Sequence, residues 1–166
     1  MHLEDAIGVL RSGDGNQNAA QQYTIGTKPI TGTKGTLTYD ALLEFWSQFD
    51  PYTMNTMLVG SDVMLAMLKL DEFQNPLTAE LPGHRQAVYP LGASLLRTSA
   101  MPAGTIIGLD RRFAWRWCRA AMCWWSTTSS STGSLERAAI TSISGFAKVF
   151  QPASKVLQIG TAGEEG

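Results

Sequence analysis

Residues 115–134 constrain this chain more than any other stretch. Between Trp115 and Trp125 fall four of its five tryptophans and both of its cysteines, Cys118 and Cys123. A flat Ser/Thr run, Ser126 to Ser134, follows at once, and the whole stretch contains no acidic residue and no lysine. Acids and bases alternate freely on both sides of it. Folded sequences are locally consistent with their neighbours, and this one is not. Two readings compete: a surface on which Trp115, Trp117, Trp124 and Trp125 converge around a ligand, or a segment translated out of frame.

The genetic code separates the two. Tryptophan is always TGG, methionine is ATG and cysteine begins TG. Read two bases further on, Trp117 into Cys118 and Met122 into Cys123 each give valine, as does Trp124 into Trp125. Trp125 into an AG-type Ser126 gives glutamate. With the free third bases filled permissively, the segment reads E-M-V-Q-G-G-D-V-L-V-E-Y-D-K-L-I-D-R-Q and runs into Leu135-Glu136-Arg137-Ala138-Ala139-Ile140. That string has a β-like V-L-V and then the charged periodicity of an amphipathic helix. A one-base shift over Ala79–Pro90 likewise gives R-S-F-Q-G-T-G-R-L-Y-T-P, with looser codon constraints. Residues 79–90 and 115–134 are therefore expected to be out-of-frame segments.

The remaining composition is that of an ordinary globular chain. Its 166 residues suit one domain with a buried core. A hydrophobic share of 44% with 16% charged residues places it at the weakly charged end of that class. The formal net charge of −1 argues against a basic field for nucleic acid or anionic membrane. Two cysteines do not make a disulfide framework, so a reducing compartment is expected. No apolar run reaches membrane-spanning length, and Glu4 and Asp5 stand where a signal peptide would be basic. A soluble protein of intracellular origin is the expectation.

Helical spacing of Leu3, Ala6, Ile7 and Leu10, ended by Gly13-Asp14-Gly15-Asn16, predicts the last turns of a helix. Its beginning is expected to lie before Met1, which would make the chain a fragment. Asn16 to Thr36 reads as loop or edge segment. The clearest helix follows, with Thr38 as N-cap, Asp40 in the first turn and Pro51 beyond the end. Tyr39, Leu42, Leu43, Trp46 and Phe49 are expected on its buried face, with Glu44, Ser47 and Gln48 outward. Thr53–Val59 reads as a buried strand. Asp62–Leu70 reads as a short helix behind Gly60-Ser61, with Val63, Met64, Met67 and Leu68 inward. Met54, Met57, Met64 and Met67 read as core gap-fillers rather than a promiscuous groove. Leu95–Thr98 and Thr105–Leu109 are β-like around the turn Met101-Pro102-Ala103-Gly104. Ile140–Phe150, with Gly145 as a bulge, and Val156–Ile159 complete the strands. Gly160–Gly166 reads as a tail.

Motif searches assign no catalytic, cofactor-binding or metal-ligating residue. The Gly-rich stretch from Gly26 to Thr36 lacks phosphate-loop spacing, since Thr33 follows Gly32 where lysine should stand. Asp14-Gly15-Asn16 lacks the ligand series of a calcium loop. His2 and His84 are the only histidines, which leaves little for a His-dependent triad. Cys118 and Cys123 have no nearby histidine or further cysteine to complete a zinc site. Asp40 and Glu44 form an i, i+4 acid pair that reads as solvated surface charge rather than acid–base machinery.

Five stretches resemble tailed-phage major capsid proteins in their C-terminal half. They are DAIGVLRSGDGN (5–16), GTLTYDALLEFWSQF (35–49), NTMLVGSDVMLAMLKLDEF (55–73), PLGASLLRTSAMPAGTIIGLDRRF (90–113) and LERAAITSISGFAKVFQPASKVL (135–157). The frame-restored string fits the same family between the last two. The resemblance covers most of the chain in the family's order, and no single motif is diagnostic. It implies an α+β fold, the tailed-phage capsid fold, with portions of an axial and a peripheral domain. Thr38–Phe49 and the strands after it would belong to the axial and peripheral domains, and Ile140–Ile159 to closing peripheral-domain strands. It implies a structural subunit rather than an enzyme, with no cofactor and no membrane. The partners it implies are other copies of the capsid subunit, in hexamers and pentamers, with packaged DNA touched only generically. Such a subunit is assembled in the host cytoplasm and resides in the virion. The family's N-terminal arm, extended loop and spine helix would precede Met1, so a fragment or prophage remnant unable to close a shell alone is expected. The rival readings are an encapsulin-like nanocompartment shell protein, which uses the same fold, and a small binding module built on the Trp115–Trp125 aromatics. An uncharacterised enzyme is a weaker third.

Overall fold

Thr38 sets the start of the best-formed helix, α2 (Tyr39–Ser47): its backbone is extended and its hydroxyl accepts from the Ala41 amide at 3.3 Å, the geometry of an N-cap. In this computed structural model, residues 2–15, 17–74, 91–119, 124–129, 136–141 and 144–160 are described. The expected face of α2 is partly corrected. Ala41, Leu42, Phe45 and Phe49 are buried, whereas Trp46 is 44% exposed and Leu43 39%. Phe45 and Phe49 are one turn apart and stack edge to face at 5.4 Å, so the apolar stripe runs 41/42–45–49 and leaves position 46 on its margin.

Five strands form the central sheet: β1 (Gln21–Thr24), β2 (Thr56–Val59), β3 (Ser94–Arg97), β4 (Thr105–Leu109) and β9 (Ser154–Gln158), in the order β1-β9-β4-β2-β3. The inner neighbours β9/β4 and β4/β2 are antiparallel, and the two edges, β1/β9 and β2/β3, are parallel. Strand alternation sends side chains to two separate cores. Ile106, Leu157, Met57 and Val59 join α2 and α3 (Ser61–Leu68) with Phe45, Phe49, Val63 and Met67. Ile107, Leu109 and Val156 meet α1 (His2–Ser12) through Ile7 and Leu10 on the opposite face. The result is a sheet between helices, an α+β architecture. A short helix, α4 (Asp71–Gln74), follows α3.

Several expected bounds shift by a residue or two. Met54, Met57 and Met67 are fully buried, as core packing requires. Leu68, expected inward on α3, is 43% exposed, because Val63 and Met67 already fill the stripe facing the sheet. Leu3 likewise lies outside the buried stripe of α1. Gly13, at φ +81, closes α1 by donating its amide to the Val9 carbonyl at 2.9 Å, a backbone conformation glycine adopts without strain.

The expected strand Ile140–Phe150 divides in two. β5 (Trp115–Arg119) pairs antiparallel with β8 (Ser144–Lys148), and β6 (Trp124–Ser129) pairs with β7 (Glu136–Thr141), one ladder nested in the other. Four residues, 120–123, separate β5 from β6, whereas two, 142–143, separate β7 from β8. The ladder cannot continue in one register across that mismatch. Gly145 sits in register opposite Cys118 and is not a bulge. Residues 79–90 lie outside the described residues, as do the side chains of 117–144.

Candidate functional site

The tryptophans singled out by the sequence fall on two ladders. Trp115 and Trp117 fall in the β5/β8 ladder, opposite Lys148 and Phe146, whereas Trp124 and Trp125 fall in β6/β7, opposite Thr141 and Ile140. Trp115 is half-buried and packs on Phe146 at 5.4 Å. The side chains of Trp117, Cys118, Trp124 and Trp125 lie outside the described residues, as do His84 and Cys123, so convergence of the four tryptophans is not described. Asp40 and Glu44 do not act as a pair. The Glu44 carboxylate instead accepts the Thr31 hydroxyl at 2.6 Å, and hydrogen bonds from Thr31 hold it below the usual carboxylate range. Among the described residues, no three or more His, Cys, Asp or Glu are placed to hold a metal ion. No described helix is long and apolar enough to cross a membrane.

What the fold does assemble is a polar hub that anchors an aromatic surface. Asp110 follows β4 and is fully buried. Its carboxylate accepts from Asn55 Nδ2 at 2.9 Å, from the Thr53 amide at 3.3 Å, and from the Arg112 side chain at 2.9 and 3.1 Å. The Arg112 amide adds a further bond at 3.1 Å. These donors, Arg112 first, hold the Asp110 carboxyl well down, at about 2. Asn55 returns the link by accepting the Arg111 amide at 3.0 Å. Two loops, 50–55 and 110–114, are thereby fixed to one another. The sequence signal was Leu109-Asp110-Arg111-Arg112: an Asp ending a strand and bonding the amide two residues on, as in an Asx-turn.

On these loops Tyr52 and Phe113 stack at 5.7 Å, and Phe150 closes a three-ring cluster at 6.3 and 6.1 Å. Phe150 is 46% exposed, and Val149 beside it and Phe113 are also exposed. The Arg112 guanidinium lies over the Phe113 ring at 5.2 Å, a cation–π arrangement. Tyr52 also lines a cleft of about 390 Å³ with Trp46, Phe49, Pro51 and Met54. The aromatic surface thus runs from the C-terminal end of α2 to Phe150. Contiguous exposed apolar patches of this kind mark interaction sites, and aromatics with arginine are the residues enriched there.

Two buried lysines could be mistaken for catalytic bases. Lys148 Nζ donates to the Leu10 carbonyl at 3.2 Å, and burial pushes its ammonium down to about 8 against the raising influence of Asp14. Lys155 donates to the Gln48 carbonyl and lies over the Tyr23 and Phe49 rings at 5.8 and 5.6 Å; burial lowers it too. Each ammonium caps the C-terminal end of a helix, α1 or α2, where the dipole favours a cation. Their positions are explained by structure alone.

Comparison with solved structures identifies the architecture. One match is the capsid of an empty GTA particle, with a TM-score of 0.66 and 14% identity over 96% of this chain and 62% of that one. A chain of Mycobacterium phage Che8 matches at TM-score 0.61 with 9% identity, over 96% and 58% of the two chains. The holo-SrpI encapsulin complex from Synechococcus elongatus PCC 7942 matches at 0.58 with 15% identity, over 92% and 59%. No protein-family model matches the sequence, and no curated protein does. The chain has the α+β fold shared by these phage-type capsid and encapsulin chains, and spans about three fifths of their length.

Proposed function

We propose that the chain is a structural subunit of an icosahedral shell of the tailed-phage type, built from copies of itself arranged in hexamers and pentamers. The observation that carries this reading is the fold likeness over 96% of the chain to the GTA capsid. In this reading the five-stranded sheet with its helices is the axial domain, which takes in β9 from the Ile140–Ile159 stretch expected to give closing peripheral-domain strands, and the β5–β8 ribbon contributes the peripheral-domain strands. Packaged DNA is touched only generically, in keeping with the net charge of −1. The shell forms in the host cytoplasm and ends in the virion. Specificity resides in extended subunit contacts, and no residue carries a catalytic role.

Within the same proposal, 79–90 and 115–134 are out-of-frame segments of a longer subunit. The test is to sequence the coding DNA from the codon of Pro76 to that of Leu135 and upstream of Met1, then express the frame-restored product. Electron microscopy of that product is expected to show regular closed particles. A product that stays monomeric under conditions that assemble other shells of this fold overturns the shell reading. Closed particles from the 166-residue chain as it stands would sink the frame-damage reading and leave the shell reading in place.

A further inference from the structure

We propose that Arg11 holds a carboxylate of the chain's own C-terminal segment, that of Glu164 or Glu165, in the cleft between residues 102–105 and Gly160. Arg11 stands in the last turn of α1. Its side chain lines a cleft of about 420 Å³ together with Pro102, Gly104, Thr105, Gln158 and Gly160. The Nε atom is buried and has no hydrogen-bond partner among the described residues. No described acid forms an ion pair with the guanidinium.

The helix dipole accounts for a cation in the last turn of α1, but not for a buried donor left without a partner. Such a donor is costly, and buried polar groups in folded proteins are nearly always satisfied. Water fills one hydrogen bond yet supplies no counter-charge. A guanidinium presents its donors as a planar fork, which the two oxygens of one carboxylate match. The cleft lies in the size range of small-ligand sites and has room for a glutamate side chain.

The described acids nearest in sequence or space are otherwise placed. Glu4 and Asp5 sit in the first turn of α1, about 9–11 Å of helical rise away. Asp62 accepts the Gly104 amide at 2.7 Å, on the wall of the cleft but not on Arg11. Gly160, the opposite wall, is followed after three residues by Glu164 and Glu165. Four or five residues span at most about 13–18 Å, so either acid can fold back to the wall that its own segment leaves. Gly160 has φ +79, a bend that glycine takes without strain. Lys34 borders the same point: a Cβ built on Gly160 would lie 3.8 Å from the Lys34 Cβ, and the Gly35 amide donates to the Ile159 carbonyl at 2.9 Å. Two cations therefore border the place where the segment departs, and two acids follow it.

The test is NMR relaxation on the whole chain. Backbone order parameters of residues 161–165 are expected to stay above about 0.6 and to fall below it in Arg11→Gln. Glu164→Gln with Glu165→Gln leaves every described contact in place and should loosen the segment equally. Slow exchange of the Arg11 Nε–H with water should be lost in that variant. All three changes together should loosen the segment no further, because each removes the same bond. Should Arg11→Gln alter the amide spectrum of α2, the Glu164/Glu165 variant decides alone. A segment already loose in the unmodified chain overturns the proposal, and so does order that survives loss of both glutamates. Order or Nε–H protection that appears only on adding inorganic phosphate would make the cleft a site for free anions and overturn the intramolecular occupant.

Discussion

Gly108 is a tight point of the core, where β4 meets α2. A Cβ built there would lie 2.6 Å from Met54 Sδ, 2.8 Å from Phe49 Cζ and 3.0 Å from Phe45 Cε1. The methionine could yield, but two aromatic rings wedged under α2 could not, so α2 rests directly on the backbone of β4. Gly108→Ala is expected to cost about 1–3 kcal/mol through overpacking, measured as a shift in the urea midpoint with an unchanged slope. Asp110 supplies a pH-dependent term. Its folded value near 2 lies below the ordinary value of about 3.9. Its contribution is therefore fully present above about pH 4 and disappears as the pH falls through about 2. Asp110→Asn should lower stability at pH 7 by roughly 2 kcal/mol and flatten the acid limb of the stability curve. An acid limb identical to that of the unmodified chain would show that the carboxylate is not what fastens the loops.

At the scale of elements, both long-range caps come from the end of the described chain. Lys148 and Lys155 reach the last turns of α1 and α2, so each helix is fastened by a strand far from it in sequence. The folded Lys148 value near 8 lies below the ordinary value of about 10.4. The unfolded chain then holds the proton more tightly between those values, and stability should rise with pH from about 8 to about 10. Lys148→Met is expected to abolish that rise and to leave stability at pH 7 within about 1 kcal/mol of the original or above it. A larger loss at pH 7 would mean that the bond to Leu10 outweighs the desolvation of the ammonium. These caps were not legible in the sequence, because nothing local links position 148 to Leu10 or 155 to Gln48. What was legible was local: the Thr38 cap, the strand Thr105–Leu109, and the burial of Met54, Met57 and Met67. Trp46 and Leu68 were misplaced for a single reason. Helical spacing fixes which residues share a side but not how wide the buried stripe is, and Phe45 with Phe49, or Val63 with Met67, already fills it. The aromatic surface was hidden likewise, since Tyr52, Phe113 and Phe150 meet only once Asp110 has joined their loops.

At the scale of the molecule, the ribbon of β5–β8 is the part that agrees least with its own sequence. Its two ladders are out of step, since β5 and β6 are four residues apart in sequence and β7 and β8 two, and its first limb carries the Trp-rich string. Replacing 115–134 by E-M-V-Q-G-G-D-V-L-V-E-Y-D-K-L-I-D-R-Q is expected to raise the thermal midpoint and reduce aggregation, measured by calorimetry and light scattering. A midpoint that falls would favour the present sequence as the selected one. The central sheet has a different vulnerability, which follows from its strand order. β9 lies between β1 and β4, so β1, made before the other strands of the sheet, has no neighbour in it until the last described strand exists. Contacts of such long sequence separation form slowly. A nascent chain emerging from the ribosome would carry β1 unpaired from the making of that strand until the making of β9. Completion of the sheet, and with it any competence to join other copies, would wait until β9 has been made.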